Sequence, residues 1–208
     1  MDISMCLRDA LSIIRIPEAI AVTTGILSVW FAKKESIWVY PVGLVSVLLY
    51  IYICLTVNLY ADAAIQAYYA VVSIYGWYYW VTGGKHKKDV TPEAHVAISQ
   101  LSIRQQIVAI LLTLLLGLIL SAILIRFTDS TVPLLDGLTT AIFCTAMVLM
   151  ARKYIENWLY WIVGDILCVP LFFSKGLCLS SLQYGIFTLL AIAGWMAWRK
   201  KLRMNAYA

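Results

Sequence analysis

Trp158, Trp161 and Asp165 stand at i, i+3 and i+7, a spacing that sets two indole rings and a carboxylate on one face of a helix. Asp62, Gln66, Tyr69, Ser73, Trp77 and Trp80 are separated by four, three, four, four and three residues, which again is one helical face. Aromatic faces beside an isolated carboxylate suit a flat ligand, cationic or neutral, held by stacking and cation–π attraction. A phosphorylated ligand would call for Arg or Lys forks, and neither residue occurs in the middle of any apolar segment. The same segments offer no nucleophile–base pair and no cluster of metal ligands. Gly84-Lys85 is followed by His86 and has Tyr79 where a phosphate loop needs its first glycine, so self-powered ATP hydrolysis is unsupported. His86 and His95 both lie in the polar stretch 83–102, and the last apolar run, 178–198, has no lysine. Haem ligation within the bilayer and a retinal Schiff base therefore lack their ligands. The residues predict a binding protein that is not an enzyme, with no cofactor and no metal.

The elements that must position these residues follow from composition. Of 208 residues 62% are hydrophobic and 13% charged, and the mean hydropathy is +0.85; an ordinary soluble domain has about 25% charge. A helix needs roughly 20 apolar residues to cross a bilayer. Charge-free runs at 36–61, 63–84, 105–125 and 176–198, with shorter ones at 19–32 and 137–151 and one at 157–174 broken by Asp165, predict seven helices at 17–33, 37–58, 62–82, 104–126, 133–151, 156–174 and 178–198. The runs are continuous and Leu/Ile-rich, unlike the short alternating strands of a membrane barrel. The fold class is an all-α integral membrane protein. Residues 1–16 hold Asp2, Arg8, Asp9 and Arg15 without an apolar core and read as an interfacial lead-in rather than a cleaved signal. The five cysteines form no CxxC pair and read as small apolar packing groups.

Orientation follows from Lys and Arg. Segments on one side of the seven spans hold Arg8, Arg15, Arg126 and Lys175; those on the other hold Lys33, Lys34, Lys85, Lys87, Lys88, Arg104, Arg152, Lys153, Arg199, Lys200, Lys201 and Arg203. The richer side is cytoplasmic by the positive-inside rule, which puts the N-terminus outside and the C-terminus inside. This asymmetry explains the net charge of +5 and makes a nucleic-acid partner unnecessary.

The chain also repeats itself. Gly76-Trp77-Tyr78-Tyr79-Trp80 corresponds to Gly194-Trp195-Met196-Ala197-Trp198 at an offset of 118, Ala32-Lys33-Lys34 to Ala151-Arg152-Lys153 at 119, Trp38 to Trp158 at 120, and Gly43 to Gly164 at 121. Spans 1–3 and 5–7 thus read as two copies of a three-helix unit, with span 4 restoring the orientation of the second copy. Two parallel repeats about an axis along the membrane normal place a site near the midplane where they meet. The chain divides into an interfacial segment (1–16), a first three-helix bundle (17–82), a cytoplasmic loop (83–103), a linker transmembrane helix (104–126), a second bundle (133–198) and a cytoplasmic tail (199–208). Trp30, Trp38, Trp80, Trp195 and Trp198 read as interfacial belt residues. Trp161, a turn inside its helix beside Asp165, reads as a cavity residue, and for Gln66 an interhelical hydrogen bond stands beside a binding role.

The run Tyr60-Ala61-Asp62, Gln66 and Ser73-Ile74-Tyr75-Gly76-Trp77-Tyr78-Tyr79-Trp80, together with Glu156-Asn157-Trp158-Leu159-Tyr160-Trp161 and Asp165, resembles the third- and sixth-span signatures of the PnuC family of vitamin transporters. The resemblance extends over nearly the whole chain. It implies a 3+1+3 fold like that of SWEET sugar transporters and facilitated diffusion of nicotinamide riboside, trapped inside the cell by phosphorylation. It also implies a homotrimer in the bacterial inner membrane, and contacts to substrate from Gln66, Trp158 and Trp161. Nicotinamide riboside brings a cationic pyridinium to stack and ribose hydroxyls that suit Gln and Asp. Thiamine, another cationic aromatic vitamin, is the alternative substrate. A seven-helix receptor, the rival class, would need a larger coupling surface than the loop 83–103 and a ten-residue tail.

Overall fold

The computed structural model describes residues 16–56, 59–83, 96–174 and 178–206. Seven helices account for nearly all of it: α1 (Ile16–Lys33), α2 (Val39–Thr56), α3 (Tyr60–Thr82), α4 (Ile103–Phe127), α5 (Pro133–Ala151), α6 (Asn157–Ser174) and α7 (Cys178–Ala206). Among the described residues the extended structure is one isolated bridge, Ser99 to Tyr154. The seven helices fall within a few residues of the seven expected spans, except that α7 continues past 198, because Arg199, Lys200, Lys201 and Arg203 end the apolar run but are good helix formers. Five helices (α2, α4, α5, α6 and residues 180–204 of α7) are both long and apolar enough to cross a membrane. In α3, 23 residues long, the polar tyrosines, Asp62 and Gln66 hold the hydropathy down. The segment before Ile16, both histidines and Lys175 lie outside the described residues.

Local signals set the boundaries. Ser102 caps α4 with a reciprocal pair, its side chain accepting from the Gln105 amide while the Gln105 side chain accepts from the Ser102 amide; such a box satisfies two donors the helix leaves open. Pro133 opens α5, where its missing N–H costs nothing. Gly83 ends α3 in the left-handed region (φ 64°) and donates to the Tyr79 carbonyl, a turn glycine reaches without a Cβ penalty.

Sequential helices pack side by side: α1 on α2, α2 on α3, α5 on α6, α6 on α7. The two triplets then meet through α1 against α7 and α3 against α5. Exchanging α1–α3 for α5–α7 leaves this contact pattern unchanged. Between triplets, α4 packs on α5 and buries only Thr113, Gly117 and Ser121, one stripe at four-residue spacing. Thr113 and Thr145 share a 2.7 Å hydroxyl hydrogen bond, and a Cβ on Gly137 would meet the Ser121 backbone nitrogen at 2.6 Å. Small residues permit this close helix approach in membranes, and most of the remaining Leu and Ile of α4 are exposed.

The contacts that build the core recur at one constant offset. Tyr40 packs edge-on against Trp80 (5.2 Å, 89°), and 118 residues later Trp158 packs edge-on against Trp198 (5.5 Å, 90°). Tyr40 lies against Gly76, where a Cβ would meet its hydroxyl at 2.6 Å; Trp158 lies against Gly194, where a Cβ would meet the ring at 2.5 Å. Trp80 donates from Nε1 to the Met150 carbonyl (3.3 Å), and Trp198 donates to the Ala32 carbonyl (3.1 Å). The sequence landmarks at 119, 120 and 121 are therefore not contact equivalents. In this register Trp158 answers to Tyr40 rather than to Trp38, which is 59% exposed, and Trp161 answers to Gly43.

Candidate functional site

A cavity of about 180 Å³ lies where the two triplets meet. α6 supplies Trp158, Trp161 and Asp165, and α3 supplies Tyr69 and Ser73. Its wall is organised by the same 118-residue offset. Val29 faces in with Met147, Ala32 with Met150, Tyr40 with Trp158, Gly43 with Trp161, Val47 with Asp165, Tyr69 with Phe187 and Ser73 with Ala191. Equivalent positions carry unlike chemistry. The second triplet contributes indoles and a carboxylate where the first has a phenol, a glycine and a valine. The first contributes hydroxyls of Tyr69 and Ser73 where the second has Phe187 and Ala191. A ligand in this cavity meets an acidic aromatic wall on one side and hydroxyls on the other, so it has one preferred orientation.

Each side chain is held from behind. Trp158 is 1% exposed and fixed by Gly194 and Trp198. Gly164, which has no Cβ, admits the Phe143 ring, and Phe143 stacks on Trp161 at 5.5 Å with 29° between planes. Phe143 is itself parallel to Tyr184 (6.0 Å, 9°), which stacks on Phe172 (5.0 Å). Offset aromatic pairs add about 0.5–1.5 kcal/mol beyond their buried area, so the Trp161 ring has a backed orientation before any ligand arrives. Asp165 is 2% exposed; an ionisable group at membrane depth is expensive and faces a cavity or another helix. Here it faces the cavity. Among the described residues no Lys or Arg lines the cavity, so a phosphate finds no cationic partner among them. No group of three or more metal-ligating side chains occurs among the described residues.

Of the seven residues singled out from the sequence, Tyr69, Ser73, Trp158, Trp161 and Asp165 come together in this wall, and Gln66 and Trp77 do not. The buried stripe of α3 runs through Ser73, Gly76 and Trp80. At about 100° per residue, Trp77 lies some 60° round the helix from Trp80 and is 39% exposed. Gln66, half-buried, falls to the same side of the stripe. Two belt assignments are corrected: Trp80 is 5% and Trp198 0% exposed, because each spends its N–H on a carbonyl of the opposite triplet. Trp30 and Trp38, at 40% and 59%, are exposed, and Lys33 and Lys34 sit over the Trp30 ring at 4.9 and 5.0 Å. Tyr40 and Phe187 were missed by the residue patterns; an exact repeat register would have found them as counterparts of Trp158 and Tyr69.

Residues 15–200 match the family model described as nicotinamide mononucleotide transporter. The chain belongs to that family. Its relatives include the nicotinamide riboside transporter PnuC of Escherichia coli, 27% identical, with 89% of this chain and 86% of the relative covered. The nicotinamide riboside transporter PnuC of Neisseria mucosa is 29% identical, covering 90% and 73%. The riboflavin/roseoflavin transporter RibM of Streptomyces davaonensis is 26% identical, covering 88% and 84%. A crystal structure of the vitamin B3 transporter PnuC superposes with a TM-score of 0.70 at 28% identity, covering 97% of this chain and 90% of that one. These relatives are membrane transporters rather than enzymes.

Proposed function

We propose that this chain carries nicotinamide riboside into a bacterial cell by facilitated diffusion, with phosphorylation inside the cell trapping the product. The carrying observation is the cavity wall: Trp158, Trp161 and Asp165 opposite Tyr69 and Ser73, without a Lys or Arg. A pyridinium ring stacks between aromatic faces and gains the Asp165 carboxylate as counter-ion, while ribose hydroxyls meet the hydroxyl-bearing wall. A mononucleotide would bring a phosphate toward a carboxylate with no cation to hold it. Riboflavin, named for one relative, is neutral and gains nothing from Asp165 as a counter-ion. Thiamine is cationic and aromatic and is the second reading that the same wall favours. Gln66, one turn before Tyr69 on α3, enters the wall if α3 turns on binding.

The finer architecture belongs to the same proposal. Two parallel three-helix repeats joined by α4 are supported by the exchange-invariant helix contacts and by contacts repeating 118 residues apart. An N-terminus outside and a C-terminus in the cytoplasm is supported by the distribution of Lys and Arg, and a homotrimer in the inner membrane by the family resemblance. Calorimetry on the purified protein with nicotinamide riboside, its mononucleotide, thiamine and riboflavin tests the substrate. Nicotinamide riboside should bind at least about tenfold, or 1.4 kcal/mol, more tightly than the mononucleotide. Tighter binding of the mononucleotide or of riboflavin would remove the charge argument.

A further inference from the structure

At the end of the molecule read as cytoplasmic, α1 and α5 finish in equivalent turns. Glu35 (φ 55°) and Lys153 (φ 61°) are the only described non-glycine residues with positive φ, a conformation uncommon for such residues, and they are 118 positions apart. Instead of pairing locally they pair with each other: Lys153 Nζ lies 3.1 Å from Glu35 Oε2, with side chains 7% and 13% exposed. Lys201 of α7 takes the other Glu35 oxygen at 2.7 Å. Lys153 also donates to the Val96 carbonyl at 2.7 Å and stands 4.6 Å above the Trp80 ring. Beside this ion pair run the two reciprocal bonds, Trp80 Nε1 to the Met150 carbonyl and Trp198 Nε1 to the Ala32 carbonyl, with the two indoles 6.2 Å apart. The Glu35–Lys153 pair, the Lys201 bond and both indole bonds each join one triplet to the other. Ala32 and Met150, whose carbonyls accept the indole bonds, also line the central cavity, so both indole bonds are anchored on its wall.

We propose that the Glu35–Lys153 ion pair and the two reciprocal tryptophan–carbonyl bonds are a clasp that shuts one end of the cavity and must open once in every transport cycle. The proposal rests on the transporter reading above. In repeat-built carriers, access alternates as one repeat rocks against the other, and links that all cross between triplets are the ones such rocking would break. Burial pulls the Lys153 pKa below the ordinary lysine value, and Glu35 opposes that pull. Removing Glu35 therefore leaves a desolvated cation, the costly half of a broken pair, and the clasped state loses its advantage over the open one.

The test uses Met147→Cys in the cavity as a reporter, in oriented proteoliposomes, labelled by a membrane-impermeant thiol reagent applied to one face at a time and corrected for the parent protein. Glu35→Gln and Lys153→Gln should each raise labelling from the clasped face about threefold or more, without raising it from the other face. The exchange E35K/K153E should bring it back part of the way. Trp80→Phe with Trp198→Phe keeps both rings and removes both donors, and should open the same face if a charge variant does not fold. Labelling that is the same in every folded variant would overturn the clasp. If labelling responds but nicotinamide riboside does not cross, the clasp stands and the substrate reading falls; if it crosses and labelling is indifferent, the clasp falls alone.

Discussion

On the proposed reading, Asp165 and Trp161 of the cavity wall hold the ligand's ring. Stacking or cation–π contact with an aromatic face contributes about 0.5–2 kcal/mol, and an interaction with a buried charged partner roughly 1.5–3 kcal/mol. Trp161→Ala and Asp165→Asn should each weaken nicotinamide riboside about tenfold, since 1.4 kcal/mol is a factor of ten, with binding followed by calorimetry. Trp30→Ala, on the exposed face of α1, should leave affinity nearly unchanged and is the proper control. Trp198 cannot serve as one: it is fully buried and bonded to the Ala32 carbonyl. Its loss should cost about 3–5 kcal/mol of stability, visible as a fall in thermal midpoint. The sequence offered residues of a kind that suits a flat cation. It could not tell a belt tryptophan from a buried one, because that depends on whether an opposite helix offers a carbonyl, and no spacing within one helix encodes the partner.

Helix existence and order were legible from charge-free runs, because a bilayer-length apolar run has few other ways to satisfy its backbone. The offset of the core contacts was not legible: tryptophans and glycines chosen as landmarks drift from 118 to 121, whereas ring-on-glycine contacts hold at 118. Those contacts give an element-scale prediction. Gly194→Ala would drive a methyl into Trp158 and should destabilise by about 1–3 kcal/mol, as overpacking does. Gly185→Ala, with nothing within 4 Å of its Cβ position, should be neutral or stabilising by up to about 1 kcal/mol. Thermal unfolding of both variants in the same detergent checks the pair, and equal shifts would mean that Gly194 is not the seat of the Trp158 ring. The placement of Gln66 and Trp77 was not legible, because six positions within one helical face still span enough arc for its edges to leave the cavity.

At the scale of the whole molecule, two similar triplets enclose a cavity whose two sides differ in charge and hydrogen bonding, with crossing links shutting one end. On the proposed reading, one aspartate facing a cationic ligand needs no coupled ion as its partner. Net movement should therefore follow the substrate's own gradient. The direct measurement is uptake of labelled nicotinamide riboside into proteoliposomes holding the purified protein, with no nucleotide and no ion gradient. Entry should be saturable, stop when inside and outside concentrations are equal, and be slowed about tenfold by Asp165→Asn at substrate levels well below saturation. Absence of entry, or accumulation above equality when a proton or sodium gradient is imposed, would contradict it.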